Sequence, residues 1–283
     1  MTKKTQRPLI MGILNVTPDS FSDGGQYNVP DKAIKRALQM RDQGADIIDV
    51  GGESTRPGAK EISAEEQINR VIPVIKGIRK LDKHLLVSVD TSLRPVAKAA
   101  LEAGANWIND ISAGEDSGDA MMTLAAGKGA HIVLMHRQGK SDRMQDNPVY
   151  QDVLQEVHDY LLERAQLALK AGVKKEQIIL DPGIGFGKLL DHNLSLLAGL
   201  PVLLKLGYPV LLGTSRKRFL GEITGEDNPE KRVAATCATT ALGVAAGVQI
   251  FRVHDVIENR QAADVAWQLT LIGRDMADEK RTS

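Results

Sequence analysis

Short, nearly continuous apolar runs recur along the chain, separated by longer stretches in which apolar residues repeat every three to four positions. The runs cover residues 9–14, 46–50, 85–89, 107–109, 131–135, 177–180, 209–213 and 249–253. Apolar, β-branched runs of this kind fit strands buried on both faces of a parallel sheet. The stretches between them read as helices. Ile68, Val71, Ile72, Ile75 and Ile78 lie on one helical face, with Ser63 and Glu66 spaced as a capping box. Pro73 inside that stretch predicts a kink. Leu93, Val96, Ala97, Ala100 and Leu101 make a second stripe, which Gly104 should stop. Residues 149–171 form a third helix stopped by Gly172, and Asn228-Pro229 opens a fourth that Gly247 closes.

Eight strands alternating with helices place the chain in the α/β class and predict a (β/α)8 TIM barrel. We expect one domain over residues 1–283, with short tails at about 1–8 and 274–283. An open doubly wound sheet is the runner-up. It would put a Gly-rich turn after the first strand, and Asn15-Val16-Thr17-Pro18-Asp19 is not one.

Composition narrows the function classes. Thirty-six basic residues balance thirty-six acidic ones, so bulk attraction to nucleic acid or to a membrane surface is not expected. An anionic partner must then be held by a local site. No apolar stretch approaches the roughly 20 residues of a membrane span. Cys237 is the only cysteine, which fits a reducing, cytoplasmic setting, and apolar neighbours at helical spacing make it a small core residue.

Polar residues follow nearly every predicted strand: Asn15 after the first, Thr55 and Arg56 after the second, Asp90, Asn109 and Asp181 after the third, fourth and sixth. Ser215 and Lys217 follow the seventh, and Arg252 and His254 the eighth. Any one of these carboxylates could merely cap a helix. In a barrel, however, all these ends converge on the mouth where active sites of this fold lie. Carboxylates and an amide suit the edge of a flat nitrogen heterocycle. Arg56, Lys217, Arg252 and His254 supply positive charge for an anionic group, and Asn15 offers an oxygen suited to Mg2+. Other motifs fail. Gly183–Lys188 lacks P-loop spacing and is followed by Leu189, and no clustered Cys/His zinc signature occurs.

These residues lie in longer blocks: GILNVTPDSFSDGG at 12–25, DVGGESTRPGA at 49–59, SVDT at 88–91, INDISAG at 108–114, VLMH at 133–136, DPGIGFGK at 181–188, GTSRKRF at 213–219 and RVHDV at 252–256. In this order, over essentially the whole chain, they resemble the dihydropteroate synthases. The resemblance implies a TIM barrel, a homodimer and a Mg2+-requiring transferase of folate biosynthesis. In that reaction p-aminobenzoate displaces diphosphate from (7,8-dihydropterin-6-yl)methyl diphosphate, giving 7,8-dihydropteroate. Carried over by motif, Asp90, Asn109, Asp181 and Lys217 would hold the pterin, with Met135 and Phe186 lining its pocket and Arg252 stacking on the ring. Asn15, Arg252 and His254 would take the diphosphate, with Asn15 on Mg2+ and Thr55 as a further contact. Phe21, Ser22 and Asp23 in the first loop, and Arg56 and Pro57 in the second, would close over p-aminobenzoate, with Ser215 near its carboxylate. The resemblance also implies competition by sulfonamides. A pterin-binding methyltransferase domain and a non-catalytic pterin-binding protein are the alternatives. The first has no reason to keep Ser215-Arg216-Lys217 beside an Arg252/His254 anion site, and the second has no need of Asn15 as a metal ligand or of two closing loops.

Overall fold

The computed structural model describes residues 6–17, 29–53, 62–139 and 148–282, with side chains described as far as residue 273. Its first half runs β1 (Leu9–Asn15), α1 (Val29–Asp42), β2 (Ile47–Gly51), α2 (Ala64–Leu81), β3 (Leu86–Asp90), α3 (Arg94–Glu102), β4 (Trp107–Asp110) and α4 (Ala120–Lys128). The second half runs β5 (His131–Met135), α5 (Val153–Lys170), β6 (Ile178–Asp181), α6 (Leu190–Ala198), α7 (Leu200–Leu204), β7 (Leu211–Leu212), α8 (Arg218–Thr224), α9 (Val233–Ala246), β8 (Ile250–Val253) and α10 (Val256–Thr282). The strands are all parallel and ordered β6-β5-β4-β3-β2-β1-β8-β7. One isolated bridge, Leu180 to Val210, joins the two ends of that order and closes the cylinder. The expected (β/α)8 barrel is the fold.

Each strand buries both faces, as continuous apolar runs require. Outward residues such as Ile48, Val50, Val87 and Phe251 join the helices in the large outer core. Inward residues Met11, Ile47, Trp107, Val133, Ile179, Leu211 and Ile250 form a separate plug inside the barrel. Helix ends follow local chemistry. Ser63 Oγ accepts from Glu66 N at 3.2 Å to start α2, and Gly104 and Gly247, at φ 109° and 106°, follow the ends of α3 and α9.

Some boundaries differ from expectation for identifiable reasons. Helix α2 is not among them: as expected it includes Pro73, whose exposed position lets water take the carbonyl that loses its partner. Helix α5 starts at Val153 because Asp152 is the better cap, accepting from Leu154 N and Gln155 N at 3.1 Å each. Asn228 caps a short 3-10 turn, Pro229–Arg232, that leads into α9. Strand β7 shrinks to two residues. Pro209 has no N–H to give, and Val210 N donates to the Gln249 side chain at 2.7 Å. Helix α10 reaches Thr282, through the stretch expected as a tail. Among the described residues no helix is long and apolar enough to cross a membrane. Cys237 is half-buried rather than fully buried, and lines a groove between α9 and α10.

Candidate active site

Two residues beyond the apolar plug, the same strands turn polar. Ile47 is followed at that spacing by Asp49, Trp107 by Asn109, Ile179 by Asp181, and Ile250 by Arg252. Side chains alternate across a strand, so each pair points to the same interior and differs only in height. The carboxyl end of the barrel therefore holds Asp49, Asp90, Asn109 and Asp181, all buried, and Arg252, partly buried. Arg252 Nε donates to Asp49 Oδ2 at 2.7 Å, and its Nη2 donates to Asp90 Oδ2 at 2.6 Å. Asn109 Nδ2 donates to the same Asp49 oxygen at 2.9 Å.

A second half-ring comes from the loop after β6. Asp181 Oδ1 accepts from Gly183 N at 2.7 Å, which turns the chain sharply. Gly183, at φ 66°, packs on the backbone just past β5, where an added Cβ would fall 1.8 Å from His136 O. No other residue type fits there. The turn carries Phe186 under Lys217, whose Nζ lies 4.6 Å from the ring centroid and donates to Ile184 O. Met135 sits opposite Asp181 in the β5–β6 register and is buried beside it. Asp90, Asn109, Met135, Asp181, Phe186, Lys217 and Arg252 thus all lie around the mouth.

The segment after β7 is held tightly. Arg216 adopts a left-handed φ of 60°, and its guanidinium makes a two-pronged pair with Asp255, at 2.9 and 2.6 Å. That pair ties the β7 loop to the end of β8. Ser215 Oγ accepts from His254 N at 3.1 Å and lies 3.0 Å from His254 Nδ1. Ser215 therefore braces His254. Asn15 ends β1, with its Oδ1 beside Gly51, 3.4 Å from where a side chain there would begin. Phe21, Ser22, Asp23, Thr55, Arg56 and Pro57 lie outside the described residues.

Burial sets the electrostatics. It pushes the Asp90 carboxyl up, to about 7, against the opposing pull of Arg252, and Asp49 pushes the same way as burial. Burial also raises Asp181, with Lys217 as the main opposing charge. Lys217 is pushed down to about 8 by burial, with Asp181 pulling it up and Arg252 pushing it further down. Arg252 is raised by its carboxylate neighbours despite burial. These are opposed charges held together in a buried cluster on fixed strands, Arg252 bonded to both Asp49 and Asp90.

Two features of the mouth were not singled out from sequence. Asp49 sits inside a run that reads as core strand, yet a carboxylate among buried apolar residues is itself a signal, since an unpaired buried charge is costly. Lys188 is 3% exposed, and its Nζ contacts His136 Nδ1 at 2.9 Å, Phe186 O at 3.0 Å and His136 O at 3.4 Å. Burial and the Lys188 charge hold His136 down to about 3, so its ring is a neutral acceptor. This pair fastens the Gly183–Lys188 loop to the end of β5. Asp110 is a different case. Its carboxylate accepts from Ser112 N, Ser112 Oγ and Gly114 N and is consumed by a turn.

Comparison with known proteins shows the family. Residues 11–254 match the family model described as pterin binding enzyme. The dihydropteroate synthase of Streptococcus pyogenes serotype M6 is 51% identical over 261 residues, 92% of this chain and 95% of the relative. A Xanthomonas albilineans dihydropteroate synthase structure with 4-aminobenzoic acid superposes with a TM-score of 0.87 at 45% identity, covering 94% of each chain. The Yersinia pestis dihydropteroate synthase with a sulfonamide drug gives 0.86 at 41% identity, covering 94% of this chain and 95% of that one. The chain belongs to the pterin-binding enzymes and, among them, to the dihydropteroate synthases, transferases of folate biosynthesis. The methyltransferase and non-catalytic readings are not favoured.

Proposed function

We propose that the barrel mouth joins p-aminobenzoate to (7,8-dihydropterin-6-yl)methyl diphosphate, with the roles divided by strand. The observation that carries this reading is the cluster of buried Asp90, Asn109 and Asp181 with Arg252 and Lys217 as its opposing charges at one end of the barrel. The carboxylates and Asn109 would bind the donor-rich edge of the pterin, Lys217 an acceptor on it, and Met135 and Phe186 its faces. Arg252 would stack on the ring and, with His254, neutralise the diphosphate; Thr55 would add a contact there.

The methylene carbon loses its C–O bond, and the electron pair leaves with diphosphate. Carboxylates at Asp90 and Asp181 favour the positive charge left on the pterin, more strongly in a dry site than in water. The aniline nitrogen then supplies its lone pair to form the C–N bond, and its proton passes to the departing diphosphate and leaves with it. Loops carrying Phe21, Ser22, Asp23, Arg56 and Pro57 would exclude water during this step, with Ser215 near the p-aminobenzoate carboxylate.

Mg2+ fits the donor set. The Asn15 amide, at the end of β1, offers a hard oxygen of the kind Mg2+ takes. Asn15 would hold the ion, which when bound supplies positive charge to the diphosphate. A homodimer is supported by the apolar face of α9 and α10. Leu242, Val265, Leu269 and Ile272 are more than half exposed there, beside the groove at Cys237 and Ala241. A cytoplasmic setting accords with the lone cysteine.

The test is an assay of diphosphate release from the pterin diphosphate with Mg2+. Release should depend on p-aminobenzoate, and a sulfonamide should suppress it competitively. Release that ignores p-aminobenzoate, or none at all, would overturn the reading.

A further inference from the structure

We infer that Asp49 is a positioning residue for this site: its buried Oδ2 fixes the orientation of the Asn109 amide and retains Arg252 by Nε while Asp90 exchanges partners. The inference rests on the proposed roles of Asp90, Asn109 and Arg252 in holding the pterin. Asp49 is the third residue of β2, fully buried, opposite Ile13 of β1 and Ser88 of β3 in the register. One of its oxygens takes both bonds, from Asn109 Nδ2 at 2.9 Å and Arg252 Nε at 2.7 Å. The other, Oδ1, is buried and has no hydrogen-bond partner among the described residues, as does Ser88 Oγ on the neighbouring strand.

Two consequences follow from this geometry. A carboxylate accepts and cannot donate, so Asn109 can only point its NH2 toward Asp49. Its Oδ1 and remaining N–H are then presented to the cavity in one fixed order. A ring edge with a matching donor and acceptor is accepted, and the reversed edge is refused, because a mismatched polar group would be left unpaired. The second consequence concerns Arg252. Its Nη2 donates to Asp90 Oδ2 at 2.6 Å, an oxygen the proposed heterocycle would also take. When that bond is given up, the Nε bond to Asp49 remains. Nε is the guanidinium nitrogen nearest the backbone, so the group keeps its anchor while its outer nitrogens turn toward the ring face and the anion.

Asp49→Asn tests this with little change of shape. The amide oxygen can still accept, and Ser88 stands opposite in the β2–β3 register, its Oγ without a partner among the described residues. Without the charge, Asp90 becomes the sole carboxylate holding Arg252 and competes with the ligand. Pterin alcohol lacking the diphosphate should bind about tenfold more weakly to Asp49→Asn by calorimetry, while KM for p-aminobenzoate changes less than about twofold. In an Arg252→Gln background the same Asp49 substitution should cost only about threefold, because one of the two residues through which it acts is gone. A full tenfold penalty in both backgrounds would overturn the inference.

A measurement on the unmodified protein covers the case in which the variant fails to fold. The Arg252 Nε–H resonance, identified by its absence from Arg252→Lys, should stay protected from solvent exchange when the pterin alcohol is added. Loss of that protection on binding would overturn the pivot. If the unmodified protein does not bind the pterin alcohol at all, the functional reading fails and this inference fails with it.

Discussion

The two ends of the barrel interior are built from the same strands and differ by a step of two residues. At the amino end, Ile47, Trp107, Ile179 and Ile250 pack into a dry plug, with Trp107 stacked on His131 at 4.6 Å between ring centroids. At the carboxyl end, Asp49, Asn109, Asp181 and Arg252 stand on the same faces and meet as charges and amides. The plug gains from burying apolar surface. The mouth gives some of that up, because desolvated carboxylates are costly unless paired. Stability and chemistry are thus separated by about 7 Å of strand, the rise over two residues.

The sharpest way to break this division is Trp107→Ala. Removing the largest side chain of the plug should cost about 3–5 kcal/mol, read by denaturant unfolding, while pterin affinity stays within about twofold. A large affinity loss would mean that the two ends are not independent. Next in size is Asp181→Asn, which should weaken pterin binding about a hundredfold by calorimetry. Its melting temperature should hold or rise, since a buried charge is removed while the acceptor for Gly183 N is kept. The smallest effect is in pH. Asp90 accepts from the ligand only when ionised, so affinity should fall as pH drops below about 7. Lys217 donates as an ammonium, so affinity should also fall as pH rises through about 8. The expected profile of kcat/KM for the pterin substrate is a narrow bell between these values, changing about tenfold per unit on each side. A flat profile from pH 6 to 9 would contradict it.

Much of this division can be read in the sequence, because period-two alternation and strand ends are local properties. All eight strands lie within two residues of their apolar runs, and Asp90, Asn109, Asp181, Lys217 and Arg252 stand where strand ends place them. What escapes is whatever depends on contacts between distant segments. The shortening of β7 depends on Gln249 taking Val210 N. The role of Asp49 depends on Arg252, 203 residues away, and that of Lys188 on His136, 52 residues away. Ser215 can be placed after the seventh strand from sequence, but only the fold shows its hydroxyl against His254. The left-handed Arg216 gives no sign in composition, because a two-pronged pair with Asp255 holds it there.

The seam between β6 and β7 has one further consequence. The cylinder is a closed ring of eight links, and this link is a single bridge between Leu180 and Val210. Asp181 stands at one side of the seam, and Lys217 follows the strand on the other. A pterin held by both would act as a clasp across the weakest point of the ring. A molecule that binds only the closed form lowers the frequency of opening in proportion to its concentration. The supply of substrate would then govern how often the ring springs open, and with it the protein's lifetime among proteases.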